Sequence, residues 1–254
     1  MESKRITSSE NTLIKNVIKL KKKNDDNFLI VEGKRSVEMF LNSKLYENEN
    51  IFLTESFKEK EEDFIKNIRN LNFVKSNIMK NISSMVTPPG ILGVFKKKYF
   101  NNEIYFEKFG SYVLYKISDP GNLGTIIRTA VALNRKFLIT IDGCHYHNQK
   151  VVQSSAGMLA NIKIYRLSLN DFISYKVKNS ILTFALDAKG ENLFSQSNFS
   201  EKIFLVVGNE ANGIPEENRK LFSNFFSLPM SKDCESLNAS VAAAVAGYKI
   251  WGSM

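Results

Sequence analysis

Apolar positions in the first hundred residues alternate between helical and strand-like spacing. Leu13, Ile14, Val17 and Ile18 fall on one helical face behind Thr7-Ser8-Ser9-Glu10, which has capping-box spacing. Lys21, Lys22 and Lys23 then place cations at the negative end of that helix. FLIVEG, 28–33, predicts a short buried strand closed by Gly33, and Val37 to Leu41 a further helix. IFLT at 51–54 and NFVKS at 72–76 read as strands on either side of the charged run KEKEEDFIKNIRN, which predicts one surface helix. The PPG at 88–90 breaks the chain before a last strand, ILGVF. Strands alternating with helices describe a small α/β unit.

Residues 98–110 lack a regular pattern and are expected to be a linker between a domain over 1–97 and another over 111–254. Beyond them lie the continuous apolar runs YVLYKI (112–117), FLITI (137–141), IKIYRL (162–167), ILTFAL (181–186) and IFLVVG (203–208). Helix-length segments separate these runs, so they predict a Rossmann-like parallel sheet covered on both faces.

Composition narrows the function classes. No apolar run approaches the length of a membrane span, and the first residues lack the apolar core of a secretory signal. Cys144 and Cys234 stand in no metal or redox spacing and fit a reducing, cytoplasmic compartment. Lys and Arg total 35 against 26 Asp and Glu, a net charge of +9. Residues 1–100 contain 19 basic and 13 acidic side chains, so the excess leans toward the N-terminal half. A polyanion such as RNA or DNA is the partner such a balance suits.

Three loops of the second half carry candidate chemistry. In DPGNLGTIIRTA, 119–130, the first four residues read as a turn. Ile126, Ile127 and Ala130 then begin a helix, with Arg128 one turn into it and Asn122 in the turn. In VVGNEANGIP, 206–215, a strand runs into Gly208-Asn209-Glu210, the strand terminus at which open α/β sheets bind ligands, and Pro215 is expected to start a short helix. In LPMSKDCESLNASVAAAVAGYKI, 228–250, Ser236 or Asn238 is positioned to cap a helix rich in small residues.

These three segments, in this order and near the C-terminus, resemble the signature motifs of the SpoU (TrmH-like) branch of the SPOUT RNA 2′-O-ribose methyltransferases. The resemblance covers roughly residues 112–254. ITSSENTLIKNVIKL, FLIVEGKRSVEMFL and TPPGILGVF resemble the N-terminal substrate-binding domain frequent in that branch, an α/β fold like ribosomal protein L30e. The resemblance implies a deep trefoil knot that binds S-adenosyl-L-methionine among Gly208, Asn209, Leu228 and Leu237. It implies catalytic or supporting roles for Asn122, Arg128, Glu210, Ser236 and Asn238, and a homodimer whose site is completed across the interface. It needs no metal and favours ribosomal RNA over transfer RNA. Arg128 is the family's general base; a protonated guanidinium has no lone pair, so phosphate binding and alkoxide stabilisation form its other reading. The 231–234 loop lacks a glycine common there, and Gln153 in QSSAGM stands where a basic residue is common.

Other signals point elsewhere. Cys144, His145 and His147 crowd three potential metal ligands into four residues without a fourth, and a solvent loop accounts for them. A non-catalytic RNA-binding module of the same fold is the rival from another class, against which the intact five-residue set argues. A nucleotide-binding α/β protein would need a phosphate-loop pattern that the sequence lacks.

Overall fold

The computed structural model describes residues 4–98, 110–197, 199–200 and 202–252. The expected linker, apart from its two ends, lies outside them. The chain divides into two compact units, one comprising Met1–Asn101 with His147–Asn161, the other Asn102–Tyr146 with Ile162–Met254.

The first unit is built on a five-stranded mixed sheet. Its strands are β1 (Lys4–Ile6), β2 (Phe28–Glu32), β3 (Tyr46–Leu53), β4 (Leu71–Val74) and β5 (Ile91–Lys97), in the order β1-β4-β3-β5-β2. Only β5 runs antiparallel to its neighbours, pairing Ile30 with Val94 on one side and Phe52 with Leu92 on the other. Helices α1 (Thr12–Lys22), α2 (Lys34–Leu41), α3 (Glu55–Lys60), α4 (Glu62–Ile65) and α5 (Ser76–Ile82) complete this stretch of chain. Ile14 and Val17 of α1 meet Ile30, Phe52, Ile78 and Ile82 in one core cluster, as their helical spacing requires.

Three details differ from the sequence reading. The first helix starts at Thr12, because Asn11 and not the Thr7–Glu10 box caps it: its side chain accepts from the Leu13 N–H at 2.9 Å. Strand β1 precedes that helix and pairs with β4, too short a segment to announce itself by pattern. The charged run is two short helices that break at Glu61, whose φ of −131° leaves the helical region.

The second unit is an all-parallel six-stranded sheet. Its strands are β6 (Tyr112–Tyr115), β7 (Phe137–Ile141), β8 (Lys163–Leu167), β9 (Thr183–Asn192), β10 (Phe204–Val207) and β11 (Asn224–Ser227), ordered β11-β9-β10-β6-β7-β8. The first five match the predicted runs. The sixth is a four-residue edge strand whose register slips against β9 between Phe225 and Phe226. Its helices are α6 (Pro120–Ala132), α8 (Leu169–Lys178), α9 (Glu216–Arg219) and α10 (Ala239–Trp251); α7 (Gln149–Ser154) packs on β2 in the first unit. His147, just before α7, lies 3.3 Å from the Tyr46 hydroxyl and 2.8 Å from the Asp25 carbonyl through its two ring nitrogens. No group of three or more His, Cys, Asp or Glu among the described residues is arranged to hold a metal. No helix among them is long and apolar enough to cross a membrane.

Over 239–248, helix α10 inverts the usual size rule. It buries Ala239, Ala243, Ala246 and Gly247 while leaving Val241, Val245 and Tyr248 exposed. Small residues on the inner face let its backbone approach α6 and β10 closely. The buried Tyr112 hydroxyl donates to the Ala243 carbonyl at 2.9 Å, and the Tyr112 ring meets Trp251 edge-on at 5.0 Å. Burial pushes the Tyr112 phenol well above its ordinary pKa, so it remains a donor. A Cβ at Gly247 would stand 1.8 Å from that hydroxyl and 2.9 Å from Leu133 Cδ1. Gly247→Ala should therefore destabilise the protein by about 1–3 kcal/mol through overpacking, read as a lower midpoint in denaturant unfolding.

Candidate active site

The site is assembled from strand ends. β6 and β10 are neighbours in the sheet, so the loops that leave their carboxyl ends emerge side by side. The loop after β6 feeds α6, and the residues expected to form a turn are that helix's first turn. Asp119 is its N-cap and accepts from the Asn122 N–H at 2.8 Å, while Pro120 supplies a fixed φ at the first helical position. An early start moves Arg128 deeper than expected, to the ninth residue of α6, two turns in and exposed. No hydrogen bond or ion pair engages Arg128 among the described residues.

The loop after β10 folds into a tight closed turn. Asn209 and Gly213 exchange backbone hydrogen bonds at 3.1 and 2.9 Å, and Asn209 Oδ1 accepts from the Ala211 and Asn212 N–H groups at 3.0 and 3.1 Å. Gly208 has to be glycine here, since a Cβ would stand 2.6 Å from the Gly213 carbonyl carbon. Pro215 is not the first helical residue but the cap before α9, its ψ of 145° being extended. Asn209 Nδ2 donates to the Lys116 carbonyl at 2.9 Å, which ties this turn to the end of β6.

Glu210 joins the two loops. Its carboxylate accepts from the Ser118 N–H and hydroxyl at 3.2 and 3.0 Å, from the Asp119 N–H at 3.2 Å and from the Asn122 amide at 3.1 Å. Partial burial acts to raise its pKa. Hydrogen bonds from the Asn122 side chain and from backbone N–H groups outweigh that effect and hold the carboxyl below its usual value of 4.5. Cys144 feels the same surroundings with the opposite sign: burial first, then the negative charges of Asp119 and Glu210, push its thiol up to about 11. That cysteine is therefore a protonated thiol at neutral pH and a poor nucleophile.

Beside the β10 loop lies a cavity of about 610 Å³, within the range that accommodates a drug-sized ligand. Leu186, Val207, Ile214, Phe226, Leu228 and Leu237 give it apolar walls. Asp187 and Arg219, ion-paired with each other, give it a charged end, and Arg219 also lies over the Phe225 ring at 4.0 Å. Such a mixture suits a molecule with one flat apolar part and one zwitterionic part. Gly208, Asn209, Glu210, Ser236, Leu228 and Leu237 all line the cavity.

Asn122, Arg128 and Asn238 do not line it. Asn122 is buried and reaches the site through Glu210. Asn238, rather than Ser236, caps α10, with Oδ1 accepting from the Ser240 N–H at 2.9 Å, the Ser240 hydroxyl at 2.6 Å and the Val241 N–H at 3.4 Å. Gln153 lies exposed on α7. Sequence reasoning missed Ser118, Asp187 and Arg219. Asp187 was within reach, since it directly follows the predicted strand 181–186 and so stands at a strand's carboxyl end. Arg219 carries no local signal.

Comparison with known proteins gives this geometry a context. The model of the SpoU rRNA Methylase family matches residues 111–248, and that of the MRM3-like substrate binding domain matches 11–93. An uncharacterized tRNA/rRNA methyltransferase of Synechocystis is 25% identical over 253 residues, covering 96% of this chain and 92% of its own length. The 23S rRNA (guanosine(2553)-2′-O)-methyltransferase of Bacillus subtilis is 29% identical over 137 residues, 54% of this chain and 55% of its own. In fold, the chain is similar to the AdoMet-bound rRNA methyltransferase of Sinorhizobium meliloti, with a TM-score of 0.86 at 24% identity over 99% of this chain and 98% of that one.

The depressed Glu210 pKa fixes the sign of a pH effect. The loop-to-loop hydrogen bonds are complete above pH 4.5 and are lost as pH falls through the lower folded-state value. Calorimetric titration with S-adenosyl-L-methionine should give an affinity that is flat around neutrality and drops in acid. Glu210→Gln, whose NH2 must face either the Ser118 donors or those of Asp119 and Asn122, should show much of the acid-like loss already at neutral pH. Unchanged affinity in that variant would separate Glu210 from the binding loop.

Proposed function

The chain belongs to the SpoU rRNA methylase family and is an S-adenosyl-L-methionine-dependent RNA 2′-O-ribose methyltransferase, and from that premise we propose that it acts on ribosomal RNA as a cytoplasmic homodimer. The match of residues 11–93 to a substrate-binding domain supports a large structured RNA as substrate, as does the basic excess of that half. The observation that carries the reading is the convergence of the β6 and β10 loops, through Glu210, beside one ligand-sized cavity.

Bound S-adenosyl-L-methionine supplies an electrophilic methyl group. Gly208, Asn209, Leu228 and Leu237, which line the cavity, would hold it, within the trefoil knot that the resemblance to this family implies. The protein's own task is to present a ribose 2′-hydroxyl, a weak nucleophile, in line and to assist loss of its proton. Alignment alone contributes several orders of magnitude. Arg128 binds an RNA phosphate and stabilises the alkoxide as it develops. Glu210 and Asn122 keep the β6 loop in place, Asn238 sets the start of α10, and Ser236 offers a hydroxyl at the cavity wall.

Arg128 does not line the cavity of its own chain, which supports a site completed by a second copy. The exposed stripe of Val241, Val245 and Tyr248 on α10, the helix packed on α6, supports the same dimer. These side chains are about half exposed, so covering what remains of each would contribute on the order of 1 kcal/mol.

Two measurements test this. Methyl transfer from labelled S-adenosyl-L-methionine to total RNA should yield label in alkali-resistant dinucleotides of the ribosomal fraction. Arg128→Ala should lower that activity by at least a hundredfold while binding S-adenosyl-L-methionine as tightly as wild type. Label confined to transfer RNA would overturn the choice of substrate. Separately, Val241→Glu with Val245→Glu should convert a dimer to a monomer on sedimentation and remove activity; a wild-type monomer with full activity would sink the shared site.

A further inference from the structure

Charge in the first unit is unevenly distributed. On the side of α3 and α4, basic side chains meet acids: Arg5 pairs with Glu55, Lys34 with Glu61 and Lys66 with Asp63. Helices α1 and α5 pack against each other and contain no acidic residue at all. Lys15, Lys19 and Lys22 recur at helical spacing along about 10 Å of α1, all exposed. Lys80 stands in the last turn of α5 and Lys75 immediately before its start. Among the described residues, only Lys15 of these has an ion-pair partner, Glu10.

This basic face continues into the loop that follows α5. The Lys21 ammonium donates to the carbonyls of Asn81 and Ser83. The buried Glu32 carboxylate accepts from the Ser83 hydroxyl and, at 2.8 Å, from the Ser84 N–H; the Ser83 oxygen in turn accepts from the Met85 N–H at 3.1 Å. A loop held this firmly from below nevertheless presents two apolar side chains to solvent. Met85 is 44% exposed and Val86 104%, the latter the most exposed large apolar residue of the described chain.

We propose that the α1–α5 face and the Met85–Val86 tip are one RNA-binding surface. The lysines neutralise a run of phosphates, and the apolar tip rests against a nucleotide splayed out of the stack, as single-stranded or bulged RNA offers. Protein interfaces are depleted in lysine, so a face whose charges, Glu10 apart, are lysines, beside a small apolar tip, matches a nucleic acid better than a protein partner. The buried Glu32 is a positioning residue, which sets the tip without touching the RNA. This inference rests on RNA being the substrate and adds where the first unit grips it.

Binding of a naked 23S rRNA transcript, measured across a range of salt concentrations, separates the two contributions. Lys19→Ala with Lys22→Ala should weaken binding roughly tenfold and reduce the salt slope by about two, one for each phosphate no longer neutralised. Met85→Ser with Val86→Ser should weaken binding without changing the slope, since no charge is removed. Lys60→Ala with Lys66→Ala, on the mixed face, should leave affinity unchanged. All variants alter exposed positions, and their S-adenosyl-L-methionine affinity and unfolding midpoints report on folding independently. Folded α1 and tip variants that bind like wild type, or a mixed-face pair that loses as much as the α1 pair, would overturn this surface. If wild type itself neither bound nor methylated the transcript or total ribosomal RNA, the substrate assignment would fall first.

Discussion

A single carboxylate determines whether this protein has a site. Glu210 stands one loop away from the residues it holds, and its two oxygens take hydrogen bonds from Ser118, Asp119 and Asn122. The donors are the Ser118 hydroxyl, two backbone N–H groups and the Asn122 amide at the start of α6, where a helix leaves N–H groups without intrahelical partners. The negative charge also favours that positive helix end. One residue thus satisfies the beginning of α6, fixes the turn after β10 and sets the rim of the cavity. Because these donors lower its pKa, the carboxylate remains charged throughout the range in which RNA chemistry takes place.

Around that point, size and shape are arranged to bring backbone close to backbone. Gly208 lies against Gly213, and α10 turns alanines and Gly247 inward against Tyr112 and Leu133. The consequence is that over 239–248 the larger apolar residues of this helix face outward, while Ile250 and Trp251 turn inward at its end. Such a stripe is the kind of surface that the proposed symmetric pair of chains would cover. The same helix therefore serves the cavity on its inner side and suits association on its outer side.

The two units divide the physical labour. The parallel sheet of the second supplies converging strand ends, which a mixed sheet does not. The first has the charge asymmetry, with acids and bases interleaved on one side and helices that contain lysine but no acid on the other. Electrostatic attraction to a polyanion is long-ranged and tolerant of detail, while alignment of a hydroxyl demands a fixed pocket. Separate units allow each demand to be met without compromising the other.

Much of this was legible along the chain. Continuous apolar runs located five of the six strands of the second sheet because strands buried on both faces must be apolar throughout. The positions Gly208, Asn209, Glu210, Leu228, Ser236 and Leu237 were singled out through the resemblance of their loops to the family's motifs, and they do line one cavity. Helix starts were less readable: Asp119 and Pro120 look equally like a turn until the following N–H groups find their acceptors. Three things were settled only by tertiary structure. Glu210 and Asn122 are 88 residues apart and meet because β6 and β10 are neighbours in the sheet. Arg219 reaches Asp187 across a fold that no local pattern announces. Glu32 supports a loop fifty residues further on. Local sequence determines which elements form, since periodicity and capping act within a turn or two. The partners of a buried or bridging polar group depend on which distant segments the sheet brings side by side, and only the folded chain decides that.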